Sequence, residues 1–195
     1  VMELGQHNYI GIYSLTALPN TPFGDSGYIS DYGLNVINTY TAFNHYDISE
    51  QNSFEREDMI AGSNTMTYDE YKDAHMFRWV IMFGHYLGTT QYISRFLRNT
   101  RDISYRNFYE SLLQYAIDNP DTFIGQELQK TRENLEAVLV VKQPWGRIIP
   151  EVRKNFAWDF EEATAIRISQ NQDLFYSELR KFLSKTFNVE YDDIL

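Results

Sequence analysis

Met66-Thr-Tyr-Asp-Glu-Tyr-Lys-Asp-Ala-His75-Met-Phe-Arg78-Trp-Val-Ile-Met-Phe-Gly-His85-Tyr-Leu-Gly88 is the stretch from which the fold is read. Thr67 followed three residues later by Glu70 is a capping box, and Met66 with Tyr71 offers a hydrophobic staple across the same start. A helix is therefore expected to begin at Tyr68. Gly88 stands just past the last apolar position, where a left-handed residue closes a helix at little steric cost. Between Met76 and Leu87 nearly every face is apolar, so this helix should be surrounded by other elements and form the centre of the molecule. His75, Arg78, Met82 and His85 fall within roughly an 80° arc of it. A polar stripe on a buried helix is expected to be hydrogen-bonded within the core, or else to line a cavity or an interface.

Working outward, the helical pattern continues to the end of the chain. Thr89–Arg98 reads as a short helix, and Ser104 can cap another that runs to Ile117. Asn119-Pro120 is a restart signal, because proline at the first helical position forfeits no helical bond. Ile124, Leu128, Thr131, Leu135 and Val138 recur at helical steps, and the pattern ends at Pro144. Val152, Phe156, Phe160, Ala163 and Ile166 form one stripe over Glu151–Ser169. Phe175, Leu179, Phe182 and Phe187 form another over Leu174–Phe187. These aromatic stripes read as core. The acidic end from Glu190 to Leu195 is expected to fray.

Before the central helix the pattern differs. Tyr9–Leu18 is rich in β-branched and aromatic residues, stops at Pro19 and reads as a buried strand. No partner strand of similar quality follows it, so its sheet is expected from sequence preceding Val1. Gly24-Asp-Ser-Gly27 leads to a short helix ending at Tyr32-Gly33. Val36 and Ile37 read as extended, Phe43–Ser53 as loop, and Phe54–Ile60 is ambiguous. The expected class is mainly α: about six helices preceded by one β-strand of an incomplete sheet. Two regions are expected, residues 1–64 (strand, linker and loop) and residues 65–195 (the helical domain).

Composition narrows the chemistry. The 195 residues include no cysteine, which excludes disulfides, thiolate zinc sites and any iron–sulfur cluster held by this chain alone. A net charge of −10 argues against nucleic acid as a partner. Arg95, Arg98, Arg101 and Arg106 cluster locally, most simply as a solvated face. No run is long and apolar enough to span a bilayer, and the opening Val-Met-Glu-Leu-Gly-Gln-His carries no leader and reads like a chain entered midway. The expectation is a cytoplasmic protein without a membrane partner. His45, Asp47, Glu50, Glu55, Glu57 and Asp58 supply ligand-type atoms, but in no metal-loop spacing. Glu161 and Glu162 diverge by about 100° on a helix and read as surface charges.

His85-Tyr-Leu-Gly88 has the His-x-x-Gly form that ligates cobalt in many cobalamin-binding domains. Phe83 replaces the orienting Asp, however, and the segment ends a helix, so it is not read as a cobalt site. The run Leu18-Pro19-Asn20-Thr21-Pro22, taken with Asn64-Thr-Met-Thr-Tyr-Asp-Glu-Tyr71 and with Phe77-Arg-Trp-Val-Ile81 through His85, resembles the C-terminal part of radical S-adenosylmethionine enzymes of the cobalamin-binding-domain type. The match covers about Gly5–Gly88. It implies a rear portion of a longer enzyme of the oxidoreductase or methyltransferase class: the last strand of an incomplete α/β barrel, a linker, and a helical domain beside the active site, not catalytic alone. It also implies a parent that carries a 4Fe-4S cluster, S-adenosylmethionine and, where that domain is used, cobalamin. The missing N-terminal barrel would be this chain's partner, with a small-molecule substrate, and Tyr9–Leu18 could also pair with a second copy. Active sites of barrels lie at the C-terminal strand ends, so Tyr13, Asn20, Arg78 and His85 are the candidate substrate- or cofactor-facing residues. The reading from a different class is a helical protein-interaction or small-ligand-binding module with no enzymatic parent.

Overall fold

The computed structural model describes residues 1–8, 11–41, 45–47, 49 and 55–190. It is mainly α-helical, with short strands in two small antiparallel sheets. In chain order the elements are α1 (Ser26–Tyr32), β1 (Val36–Tyr40), β2 (Tyr46–Asp47), β3 (Arg56–Ile60), α2 (Tyr68–Ile81), α3 (Gln91–Arg101), α4 (Tyr105–Asp118), α5 (Phe123–Glu136), β4 (Arg147–Ile149), β5 (Arg153–Trp158), α6 (Phe160–Gln170) and α7 (Gln172–Phe187). The chain divides into two compact units, each discontinuous in sequence. Among the described residues no helix is long and apolar enough to cross a membrane.

The first unit comprises Val1–Ile10, Met76–Thr131 and Glu161–Leu195 and is helical. The second half of α2 and the turn after it are deeply buried in it: Met76, Trp79, Val80, Met82 and Phe83 are all at most 3% exposed. After Ile81 the helix widens into a π turn, Met82–Tyr86, closed by the Leu87 N–H on the Met82 carbonyl at 2.9 Å. Gly88 follows at φ +84°, the left-handed position expected of it. Ser104 caps α4 by accepting from the Asn107 N–H at 3.1 Å. Phe108 and Tyr115 of α4 meet Phe182 of α7 with ring centroids 5.8 and 5.3 Å apart, and Phe175, Leu179 and Phe182 are buried, so the α7 stripe does form core. Helix α5 starts later than Asn119-Pro120 suggests. Asn119 instead closes α4 on the Tyr115 carbonyl, Thr122 caps Gly125 at 3.1 Å, and the Phe123 N–H donates to both Glu178 carboxylate oxygens at 3.0 and 2.9 Å. Proline at position 120 serves the turn, and a carboxylate from α7 satisfies the helix start.

The second unit comprises Gly11–His75 and Arg132–Phe160. β1 and β3 pair from Val36↔Ile60 to Tyr40↔Arg56, and β5 lies between β2 and β4. The first half of α2 opens as expected: the Thr67 N–H donates to Glu70 Oε2 at 2.7 Å, and the Glu70 N–H donates to Thr67 Oγ1 at 3.2 Å. Met66 remains 42% exposed, while Tyr71 is buried and donates to Met59 Sδ at 3.2 Å. α5 ends in a second π turn, Ala137–Val141, closed by Lys142 in the left-handed conformation.

Two readings are corrected here. Glu151–Ser169 is not one helix: β5 occupies Arg153–Trp158, and α6 starts at Phe160. Residues 153–158 alternate about the strand, with Phe156 and Trp158 on one side at 4.8 Å between centroids and Ala157 buried on the other. Pairing with β4 across the Pro150-Glu151 turn satisfies a backbone that the helical spacing alone misassigns. The Tyr9–Leu18 strand is reduced as well. Tyr9 and Ile10 lie outside the described residues, and residues 11–18 form only the isolated antiparallel bridge Thr16↔Met59, flanked by Ile60 N–H to Leu15 O at 2.8 Å and Ala17 N–H to Asp58 O. The partner of this segment is β3 of the same unit.

Candidate functional site

The four sequence-derived candidates fall two in each unit. In the second unit Tyr13 is 75% exposed, and its ring occupies the space beside Gly11 where a Cβ would stand 2.5 Å from Tyr13 Cε2. Asn20 adopts φ +64° in the turn from Leu18 to Thr21, whose N–H and hydroxyl both donate to the Leu18 carbonyl. Left-handed backbone after proline is the position that a type II turn reserves for Gly or Asn. His75, at 8% exposure, shares its Nε2 with the hydroxyls of Ser14 (3.1 Å) and Tyr71 (3.0 Å) and stacks on Trp145.

In the first unit Arg78 forms a two-pronged ion pair with Glu161, Nη2 to Oε1 at 3.0 Å and Nη1 to Oε2 at 3.3 Å. Glu161 is only 4% exposed, so its reading as a surface charge is corrected: the first turn of α6 points it inward, and the guanidinium supplies the compensating charge. At the next position of α2, Trp79 Nε1–H donates to Thr164 Oγ1 at 3.0 Å. Of the arginine cluster, Arg98 pairs with Glu3 and Asp102, and Arg106 pairs with Glu110.

The densest polar constellation surrounds His85, which is 2% exposed. The π turn carries it, and Gly84 makes room: a Cβ there would stand 2.8 Å from the Tyr109 ring and 2.9 Å from Thr90 Oγ1. His85 Nδ1 lies 3.0 Å from the Tyr109 hydroxyl, and its Nε2 lies 3.1 Å from Nδ1 of His7. Tyr109 is in turn 3.2 Å from Ser94 Oγ, which donates to the Gln91 carbonyl at 2.9 Å. The Gln91 side chain ties the two histidine backbones together, donating to the carbonyls of His7 and His85 at 3.0 Å each. At the outer end the Tyr105 hydroxyl stands 3.5 Å from His7 Nε2.

The direction of this line follows from its inner end. The Gln91 carbonyl can only accept, so the Ser94 hydroxyl donates to it, and Tyr109 must donate to Ser94. The Tyr109 oxygen then accepts from His85 Nδ1–H. His85 Nε2 is left without a proton and accepts from His7 Nδ1–H. In its neutral form, which burial and Arg95 favour, His7 then keeps an unprotonated Nε2 at the outer end. Burial, then the neighbouring His7 and Arg95, push the His85 pKa down to about 4, which suits a neutral ring with both nitrogens engaged. Burial and then Arg95 lower that of His7, and burial raises that of Tyr109.

Two of the groups implied by the family resemblance, the iron–sulfur cluster and the cobalt of cobalamin, find no ligands among this chain's described residues. An iron–sulfur cluster requires thiolates that the chain lacks, and among the described residues no group of three His, Cys, Asp or Glu is placed to hold a metal ion. Both nitrogens of His85 are engaged, so neither has a lone pair to offer cobalt. The constellation can set tautomers, accept a hydrogen bond and respond to protons.

Sequence reasoning found His85 but missed His7, Ser94, Tyr105 and Tyr109. His7 is 78 positions away from His85, beyond the reach of any local spacing rule.

No family model matches the chain. Among curated proteins it is similar to the 2-(S-pantetheinyl)-carbapenam-3-carboxylate methyltransferase of Streptantibioticus cattleyicolor, 29% identical over 195 residues covering 94% of this chain and 28% of that protein. It is similar too to the cobalamin-dependent radical SAM methyltransferase TokK of Streptomyces tokunonensis, 29% identical over 198 residues with the same shares. The chain thus spans a little over a quarter of the length of the curated relatives it matches.

Proposed function

We propose that this chain is the rear portion of a cobalamin-dependent radical SAM methyltransferase, and that it contributes a helical domain beside an active site whose cofactors are held elsewhere in the parent protein. The observation that carries this reading is the similarity to two methyltransferases along 94% of this chain but only 28% of each relative. The absence of cysteine agrees with it: a chain that cannot hold a cluster fits the part of such an enzyme that lies outside the cluster loop. The parent's reaction would be transfer of a methyl group to a small molecule. The name of the Streptantibioticus relative makes a pantetheinyl carbapenam carboxylate the first substrate to try.

In this reading Tyr13 and Asn20, both on the surface of the second unit, are the candidates for contact with substrate or with the barrel. Arg78 and His85 act by holding the helical domain in shape, because their polar atoms are engaged by Glu161, Tyr109 and His7.

Sequencing the gene upstream of Val1 tests the reading directly. An upstream frame with βα units and a Cys-x-x-x-Cys-x-x-Cys loop is expected. The extended protein, purified anaerobically, should then bind iron and sulfide and transfer a methyl group from S-adenosylmethionine in a cobalamin-dependent assay. An upstream stop codon, or an extension without that loop, would overturn the enzyme reading in favour of a helical interaction module.

A further inference from the structure

Beside the outer end of the histidine line the first unit has an open cleft of about 390 Å³, with Glu3, His7, Arg98, Asn99 and Tyr105 in its wall. Its hydrogen-bonding character is set by the line behind it. His7 Nδ1 is committed to His85 at 3.1 Å, so the cleft meets an acceptor nitrogen, His7 Nε2, with only the distant Tyr105 hydroxyl at 3.5 Å as a competitor. Arg98 spends Nε on Glu3 and Nη1 on Asp102, and among the described residues its Nη2 has no protein partner. The Asn99 amide has none either. Glu3 accepts from the Tyr105 N–H and from Arg98 Nε, so its carboxylate is committed and its charge offsets the guanidinium. The wall thus presents a fixed acceptor and separate donors with no net charge.

We propose that this cleft is a binding site for a neutral carboxamide group, whose N–H donates to His7 Nε2 while its carbonyl accepts from Arg98 and Asn99. An amide carries donor and acceptor on different atoms, as two separate wall groups require; an alcohol offers both on one atom. A carboxylate would face the His7 lone pair and Glu3 without a proton to offer. An amidinium would face Arg98, with Arg95 also close enough to act on His7. This inference does not rest on the methyltransferase reading and stands or falls separately from it.

The test uses three probes of one shape: acetamide, acetate and acetamidinium, with ethanol as a fourth. The 195-residue chain, labelled with 15N in its histidines, is titrated with each while the His7 ring nitrogens are followed by NMR. Acetamide should give a saturable shift at His7 Nε2 in the millimolar range, as expected of so small a ligand, with the other three weaker by about tenfold or more. His85 Nε2, which His7 Nδ1 contacts at 3.1 Å, should shift in step, and His7→Phe should abolish that response of the His85 ring nitrogens to acetamide. Ser94→Ala, which unlocks the direction of the line without touching the cleft, should weaken it several-fold while the far-UV spectrum is unchanged. Binding should hold through neutrality and be lost on acidification below the ordinary histidine range, as Nε2 gains its proton. No saturable shift up to about 100 mM acetamide, an equal or stronger response to any other probe, or a response that survives in His7→Phe would overturn the proposal.

Discussion

Two titratable residues in the first unit, half-buried Arg78 and buried His85, make opposite demands on their surroundings. Arg78 keeps its charge because Glu161 meets it with both oxygens, and the pair is retained in a setting where either partner alone would be a liability. Glu161→Ala should therefore destabilise the protein by about 2 to 3 kcal/mol, the lower part of the range for broken buried pairs because Arg78 keeps some access to water. The double variant Arg78→Met with Glu161→Gln should recover most of that loss in urea melts. His85 does the reverse and stays neutral. Its pKa falls from 6.5 to about 4 on folding, so the unfolded chain takes up the proton first as the solution is acidified. The stability associated with the neutral ring is complete above pH 6.5, declines between 6.5 and about 4, and is lost below that. The loss should approach about 3 kcal/mol at most. His85→Gln should reduce this part of the slope relative to the parent chain, leaving the contributions of His7 and the carboxylates.

Among the elements, α2 runs from a solvent-exposed cap to a deeply buried second half, and these parts should differ in what they contribute. Trp79→Ala removes a ring that is 1% exposed and an N–H bonded to Thr164, and should cost on the order of 3 to 5 kcal/mol. Thr67→Ala removes only a solvent-exposed cap and should cost about 1 kcal/mol. A cap variant more damaging than the core variant in urea unfolding would contradict this ordering. The π turn that follows should be sensitive to a single methyl group. Gly84→Ala places a Cβ against Tyr109 and Thr90, and should cost about 1 to 3 kcal/mol through overpacking. Because Tyr109 is the partner of His85 Nδ1, the same change should alter the ring-nitrogen shifts of both His85 and His7, which a purely local clash would leave alone.

For the molecule as a whole, the net charge of −10 and the absence of cysteine bound what this chain does unaided. Incubated anaerobically with iron and sulfide, the 195-residue chain should acquire no stoichiometric cluster, whereas the extended parent protein should. A stoichiometric cluster on the short chain would require ligands other than thiolates and would remove a main support of the proposed function.

The helices were legible because their information is local. The capping box at Thr67 and Glu70, the Ser104 cap and the aromatic stripe of α7 each lie within a few turns of chain, where spacing of 3.6 residues sets which side chains meet. The π turn, β5 and the ion pair of Glu161 were not legible. Residues 153–158 satisfy a helical stripe as well as a strand, and only pairing with β2 and β4 decides between them. Glu161 reads as a surface charge until Arg78, 83 positions away, is brought against it. His7, Tyr109, Ser94 and Gln91 become one hydrogen-bonded line for the same reason. Burial withdraws water from polar groups and forces each to find a partner, and which partner is available depends on how distant segments pack, not on spacing along the chain.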